Sequence, residues 1–449
     1  MNRDNIDLST LSVFTLFRKY FIPTLLGMLS MSAVTAIDGI FVGHGVGSDG
    51  IAAINLCIPL LMIYTGFGLM VGAGCSVVAS IHLSRGKAKA ARLNVTQAIL
   101  FVSLITLVTS GALMAFAVPT ARFLGTSPSL QPLVVDYLLW FLPALVFQMW
   151  TSVALFIIRL DGAPRLAMMC SVVSALVNVV LDWLFIFPFG WGVMGAAFAS
   201  TISVAVGGIM AIWYLACRAR HLRLCRLKLS RKSLRLTRRN LDYQCRIGLS
   251  ALLGEATLAV LMFVGNHVFM SYLGDDGVGA FGVACYYMPF VFMVGNAIAQ
   301  SAQPIISYNF GLRLTHRVTA AGRVALMTAV VCGLAVTFVF TFFPRLLVGL
   351  FLRLDGPAAQ LAVSGFPTYS AGFVFFILNI AVVGWYQSLE RVRPATCFAL
   401  LRGVVFLVPS FLLLPRLFGT TGIWAALSCS EALTTGCILL YHIATLRRR

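Results

Sequence analysis

Residues 45–53 read GVGSDGIAA, and 227 positions later, at 272–280, the chain reads YLGDDGVGA. Gly47, Asp49, Gly50 and Ala53 fall on Gly274, Asp276, Gly277 and Ala280 at that constant offset, which also carries Gly192 and Gly195 onto Gly419 and Gly422. Pro164 and Pro394 match once a small gap is allowed. An offset near half the chain that recurs at both ends of each half points to a duplication, so the two halves share one fold. The sequence around these segments decides which fold that is.

Apolar runs flank both segments and continue through the chain. They lie near 15–41, 51–82, 91–118, 132–158, 164–187 and 192–217, then near 246–271, 278–309, 318–342, 359–388, 394–414 and 421–445. Of 449 residues, 60% are hydrophobic and 10% charged, against about 25% charged in ordinary soluble domains. A membrane-spanning helix needs about 20 apolar residues, so twelve spans take roughly 240 and leave only short loops. The expected fold is all-α and polytopic, with twelve transmembrane helices in two parallel six-helix repeats. The expected domains are an N-lobe at 1–217, a basic cytoplasmic linker at 218–245 and a C-lobe at 246–449. An even number of spans per repeat gives both the same orientation, and folds of this kind place their sites near the repeat interface.

The net charge of +19 invites a nucleic-acid reading, but the positions of the charges oppose it. With the N-terminus in the cytoplasm, 29 of the 33 Lys and Arg residues fall on the inner side. Only Arg122, Arg345, Arg353 and Arg416 fall outside. Such a split is the positive-inside pattern and marks topology, with attraction to anionic lipid headgroups as a second effect. Both termini are therefore expected in the cytoplasm of a multi-pass protein of the inner cell membrane. Within the linker, the spacing of Arg220, Leu222, Leu224, Arg226, Leu227 and Leu229 suits either an amphipathic piece on the inner membrane surface or a solvated connection. The first residues, MNRDNIDLSTLSVF, show no cleavage signature, so the first span is expected to be retained. Eleven scattered cysteines read as small packing residues, and the six histidines stand isolated.

Most of the fourteen acidic residues lie at termini or in loops, and the informative ones are Asp38, Asp182, Glu255 and Glu431, which fall inside apolar runs. An ionisable group there costs several kcal/mol unless it is paired, solvated or protonated, so each is a candidate functional residue. At 1.5 Å per residue, Asp38 sits ~27 Å beyond Tyr20 and Asp182 ~25 Å beyond Arg165, which puts the two carboxyls at similar depth. Asn178 precedes Asp182 by one helical turn and shares its face. Ser200 and Thr201 in the sixth run could add a hydroxyl. Two carboxylates, an amide and a hydroxyl suit a hard cation such as Na⁺ at Asp38, Asn178 and Asp182. They suit a proton equally, because burial and mutual repulsion disfavour the doubly charged pair. The plainer alternative is that Asp38 only caps the end of its helix near His44 and loop water. Glu255, ~13 Å into the seventh run, is a further cleft acid or the partner of a nearby Arg. Glu431 is within reach of Arg402, and a structural ion pair is the favoured reading there. Pro23 removes a backbone hydrogen bond inside the first run and is a candidate hinge or a fixed bend. Pro289 and Pro304 carry the same two readings. Met31, Phe147, Met149, Trp150 and Tyr287 would line a pliable apolar cavity for drug-like cations or simply pack helices.

Together these segments resemble the MATE (multidrug and toxic compound extrusion) family, of the prokaryotic type with an acidic N-lobe. The resemblance is carried by VTAIDGIFVGHGVGSDGIAAINLCIPLL at 34–61, LVNVVLDWLFIFPFGWGVMGAAFAST at 176–201, IGLSALLGEATLA at 247–259 and QPIISYNFG at 303–311. It implies two lobes around a central cleft, alternating access, and antiport of organic cations or other amphipathic compounds against H⁺ or Na⁺. It also implies ion coupling at Asp38, Asn178, Asp182 and a hydroxyl at Ser200 or Thr201, with Pro23 as the helix 1 proline and Glu255 as the helix 7 acid. The tenth run lacks the acid that a second branch uses for a C-lobe sodium site. Asn379 is its only strongly polar mid-helix group.

A flippase for a lipid-linked precursor is the nearest alternative, and would line its cleft with several Arg or Lys residues. Here Arg402 is the main basic residue at depth. An intramembrane enzyme would need a nucleophile and base or a metal cluster. No HExxH or Ser–His motif is seen, and His267 has no evident partner, so no enzyme is expected. Small amphipathic or cationic substrates and membrane lipids are the expected partners, nucleic acid is not, and no cofactor beyond the coupling ion is expected. The chain is expected to work as a monomer.

Overall fold

The computed structural model describes residues 7–124, 126–227 and 230–447 of the chain, and among them there is no strand. Helices α1 (Val13–Gly45), α2 (Ser48–Ser84) and α3 (Ala88–Ala115) come first. Next are α4 (Gln131–Leu160), α5 (Pro164–Ile186) and α6 (Gly192–Arg218). Arg231–Gly311 runs as 81 helical residues broken at Gly274. At 1.5 Å per residue this is ~120 Å of helix, several times the ~30 Å hydrocarbon core, so it must be two spans. These are α7 (231–273) and α8 (275–311). Then come α9 (Thr315–Phe342) and α10, made of Pro357–Ser370 and Phe373–Ser388 with a 47° bend between them. The last two are α11 (392–418) and α12 (420–447), meeting at Gly419. Among the described residues nine helices are long and apolar enough to span a membrane, ten with the bent pair. Two of the ten each contain a glycine break, which makes twelve spans.

The breaks explain the repeated glycines. Gly47, Gly192, Gly274 and Gly419 all have positive φ, at 95°, 56°, 63° and 56°, where a Cβ is strongly disfavoured. They are the two pairs related by the 227-residue offset, so the duplication preserved the turns between spans. The next glycines in the motif preserve a close contact. A Cβ on Gly50 would lie 2.8 Å from the Val46 side chain, and one on Gly277 would strike Leu273, the residue equivalent to Val46.

The described residues divide into two compact units. One comprises residues up to Leu252 together with Pro304–Val318, the other Leu253–Gln303 and Thr319 onward. In the first, α1 packs along α5, α5 along α6, and α4 against both α2 and α6. Small residues let these backbones approach, as expected where lipid offers no hydrophobic drive between helices. A Cβ on Gly27 would sit 3.3 Å from the Met168 Cα, and one on Gly72 would sit 2.9 Å from the Ser152 carbonyl oxygen. In the second unit, Trp424 is fully buried against Phe269, with ring centroids 4.8 Å apart, and Phe366 and Tyr369 complete an aromatic core.

The basic stretch between the halves departs from the sequence reading. Helix α7 starts at Arg231, about four turns before the apolar run at 246. Hydropathy misses this start because the added turns are polar. Ser230 caps them by accepting from Ser233 N, and one face docks on α3. There Gln97 donates to Thr237 (2.7 Å), Asn240 to Gln97 (3.0 Å) and Gln244 to Asn94 (2.8 Å). Upstream, Asp161 clamps the chain as it leaves α6. Its Oδ2 accepts from Tyr214 OH and Arg220 N, both at 2.8 Å, and its Oδ1 from His221 N (2.8 Å) and Leu222 N (3.1 Å).

Candidate functional site

The site begins with α5. It starts at Pro164, in the first helical turn, where the missing N–H costs nothing. Its buried face runs through Ser171, Ser174, Asn178 and Asp182. That face is covered by α1 on one side and α6 on the other. At the C-terminal end of α5, Val42, Ile186 and Ala196 form an apolar cluster beyond the polar residues. Asp182 is 0% and Asn178 2% exposed.

Asp38 projects from α1 toward the same face, and its carboxyl and that of Asp182 lie as direct neighbours within hydrogen-bonding reach. Asn178 Nδ2 donates to Ser200 Oγ at 3.3 Å. Asp38 Oδ1, Asn178 Oδ1 and both Asp182 oxygens are buried without a hydrogen-bond partner. Two ionised carboxylates are acceptors only, so they bond across their gap only if a proton or a cation stands between them. Buried polar groups are otherwise nearly always satisfied. Four orphaned acceptors at one place therefore fit a proton or a hard, oxygen-loving cation. Among the described residues no group of three or more His, Cys, Asp or Glu side chains could hold a metal, so any cation here would rely on the amide and hydroxyl as well as the two carboxyls.

The other predicted residues separate from this cluster. Thr201 turns its hydroxyl to backbone, toward the Trp140 carbonyl (2.6 Å) and the Ala197 carbonyl (2.9 Å), and ties α6 to α4. Ser200 is thus the hydroxyl on the Asn178 side. His44 bonds the Ile40 carbonyl at 2.8 Å, one turn back on its own helix, and is exposed. Pro23 is buried in α1, which stays helical from Val13 to Gly45 across it. Glu255 lies in the second unit, 6% exposed, with Oε1 buried and without a partner. Glu431 is paired with Arg402 at 3.0 Å, as the sequence reading favoured.

One residue was missed. Tyr137 on α4 is buried, and its phenol lies within electrostatic reach of Asp38, Asp182 and Cys57. A lone tyrosine in an apolar run carries no signal of its own. Only the packing of α4 against α2 and α6 brings it into the neighbourhood of the carboxyls.

The MatE family model matches the chain twice, over residues 23–184 and 251–412. The matches start 228 residues apart, one more than the offset of the glycine pairs. The multidrug export protein MepA of Staphylococcus aureus (strain NCTC 8325 / PS 47) is 24% identical over 441 residues, 96% of this chain and 94% of that protein. Its counterpart in Staphylococcus saprophyticus is 25% identical over 440 residues with the same coverage. An outward-facing structure of a multidrug resistance MATE family transporter of the MOP superfamily superposes with a TM-score of 0.90 at 19% identity, covering 100% of this chain and 99% of that one. A MOP superfamily transporter from Pyrococcus furiosus, described as having a binding pocket of reverse polarity, gives 0.89 at 19% with the same coverage.

Proposed function

This chain belongs to the MatE family, and on that premise we propose that it is a secondary active multidrug exporter. It moves organic cations or other amphipathic compounds outward by alternating access, in exchange for H⁺ or Na⁺. The observation that carries the coupling is the cluster of four donorless acceptor oxygens on Asp38, Asn178 and Asp182, with Ser200 beside it. Occupation by a proton or Na⁺ bridges the pair, halves its negative charge and draws α1 toward α5. Release of the ion restores two repelling carboxylates between the same helices. A substrate that prefers one of these arrangements competes with the ion through linked equilibria, without sharing its site. Pro23, in the same helix as Asp38, is the proposed hinge. The chain acts as a monomer in the inner cell membrane with both termini in the cytoplasm, and needs no cofactor beyond its coupling ion.

Among the alternatives, a flippase for an anionic lipid-linked precursor needs free cationic side chains at depth. Arg402 is instead engaged with Glu431 in a buried pair, which weighs against that reading.

Efflux of a fluorescent cationic dye from everted vesicles, under an imposed proton or sodium gradient, tests the proposal. Wild type should export dye under one of the gradients, and Asp38→Asn and Asp182→Asn should each abolish it at matched expression. Absence of dye movement under either gradient turns the reading toward lipid-precursor flipping. Efflux that survives both substitutions moves coupling to Glu255.

A further inference from the structure

The second unit holds its own buried polar cluster, built in the opposite way. Glu431 on α12 accepts from Arg402 Nε (3.1 Å) and Nη2 (3.0 Å) at Oε1, and from Asn379 Nδ2 (2.7 Å) at Oε2. Asn379 Nδ2 also donates to the Glu431 carbonyl at 3.0 Å, and Asn379 Oδ1 accepts from Thr435 at 2.9 Å. The Arg402 guanidinium lies over the Phe376 ring, 4.5 Å from its centroid. Arg402 is 2% exposed, and Asn379 and Glu431 are 0%. Both carboxylate oxygens are therefore taken, one of them by a charge-assisted fork.

The location gives this a meaning. Helices α11 and α12 are the repeat counterparts of α5 and α6. At the 227-residue offset of the Gly192–Gly419 pair Glu431 falls on Val204, and with the small gap that Pro164 and Pro394 require Arg402 falls within 172–175. The first repeat has only a neutral contact there, Ser174 Oγ donating to the Ser203 carbonyl at 2.7 Å. One turn further along the same helix pair lie Asn178 and Ser200, beside the donorless carboxyls. Each repeat thus buries a carboxylate site along the same pair of helices. The first leaves its oxygens without donors, and the second surrounds its carboxylate with them. A π-helical turn at Leu401–Val405, a local departure of the kind often found at functional sites, carries Arg402.

We propose that Arg402 is the resident cation of the second repeat: its guanidinium supplies the positive charge that the first repeat takes from a mobile ion, and so keeps Glu431 from loading one. Arg402 then determines which repeat takes part in ion exchange. The inference rests on the coupling reading above, but its first test does not use transport.

The protein carrying Asp38→Asn and Asp182→Asn is purified, and its melting temperature is compared in sodium chloride and choline chloride at fixed ionic strength, and across pH. No cation-dependent shift assignable to Glu431 should appear. Adding Arg402→Gln should create one: a melting temperature that rises saturably with sodium or, where the proton is taken instead, as pH falls. Adding Glu431→Gln should abolish it. Glu255 is common to all these variants and cancels in the comparison. A folded Arg402→Gln protein without cation response overturns the proposal. So does a cation response, already present with Arg402 in place, that Glu431→Gln removes. Should Arg402→Gln not fold, the charge-free pair Arg402→Met with Glu431→Gln in the otherwise native chain decides. It should fold and keep gradient-driven efflux, and a folded protein without such efflux overturns the inference. A wild type that exports no dye overturns the exporter reading alone and leaves the melting results standing.

Discussion

Replacing Asp161 by Asn tests whether one carboxylate holds the connection between the two repeats in its path. The change keeps the shape of the side chain and turns one acceptor oxygen into an NH₂ donor. Each oxygen of Asp161 serves two donors, so whichever becomes the amide nitrogen leaves two donors facing a donor. Hydrogen bonds to a charged group contribute about 1.5–3 kcal/mol each. Losing two and weakening two, next to exposed His221, should cost the local structure about 3 kcal/mol after discounting for solvent at that edge. With tenfold per 1.4 kcal/mol, opening of 219–227 becomes about a hundredfold more frequent. Arg218, Arg220, Arg223 and Arg226 are exposed and offer trypsin its sites. Cleavage of a transiently opened segment follows its opening equilibrium when reclosing is fast. Limited trypsinolysis of the purified protein, followed by mass spectrometry of the fragments, should show cuts between 218 and 226 accelerating by about that factor. A rate within about threefold of wild type, equivalent to less than ~0.7 kcal/mol, would refute the idea that Asp161 is the clamp.

Three further outcomes can be checked on the same preparations. Gly74→Ala places a methyl against the Gln244 carbonyl oxygen, a backbone atom that cannot swing away, and should lower the melting temperature strongly; Gly111→Ala, with nothing within 4 Å, should not. Arg402→Met alone leaves Glu431 charged and buried and should cost about 3–5 kcal/mol, most of it recovered when Glu431→Leu is added, as read by thermal unfolding. Ser200→Ala should raise the ion concentration needed for half-maximal efflux, whereas Thr201→Val, whose hydroxyl serves the Trp140 carbonyl, should leave that value unchanged.

Much of the fold was open to reading from the chain, because a bilayer imposes one rule that hydropathy and Lys/Arg placement obey together. Twelve spans and the duplication were visible in this way. The start of α7 was not, since a helix that docks through Thr237, Asn240 and Gln244 has no apolar signature. The line between the compact units also crosses α7 and α8, which no feature of composition marks. At the site, Asp38, Asn178 and Asp182 stood out because charges and amides are costly at that depth. Ser200 and Thr201 are adjacent, and only the rotation of α6 against α4 and α5 assigns one to Asn178 and the other to Trp140. Tyr137 was silent for the same reason: its meaning lies in what it faces.

The glycine breaks at Gly274 and Gly419 also bear on how the chain is made. Each joins two apolar helices with no intervening loop. A ribosome delivering α7 and then α8 offers the insertion machinery a ready hairpin. Its far end carries little beyond the exposed Asp275 and Asp276 across the bilayer. Such a pair can enter the lipid together, its second helix screening the first before either is complete. The α11–α12 pair can do the same, so four of the six spans of the second repeat are built to enter as hairpins rather than singly.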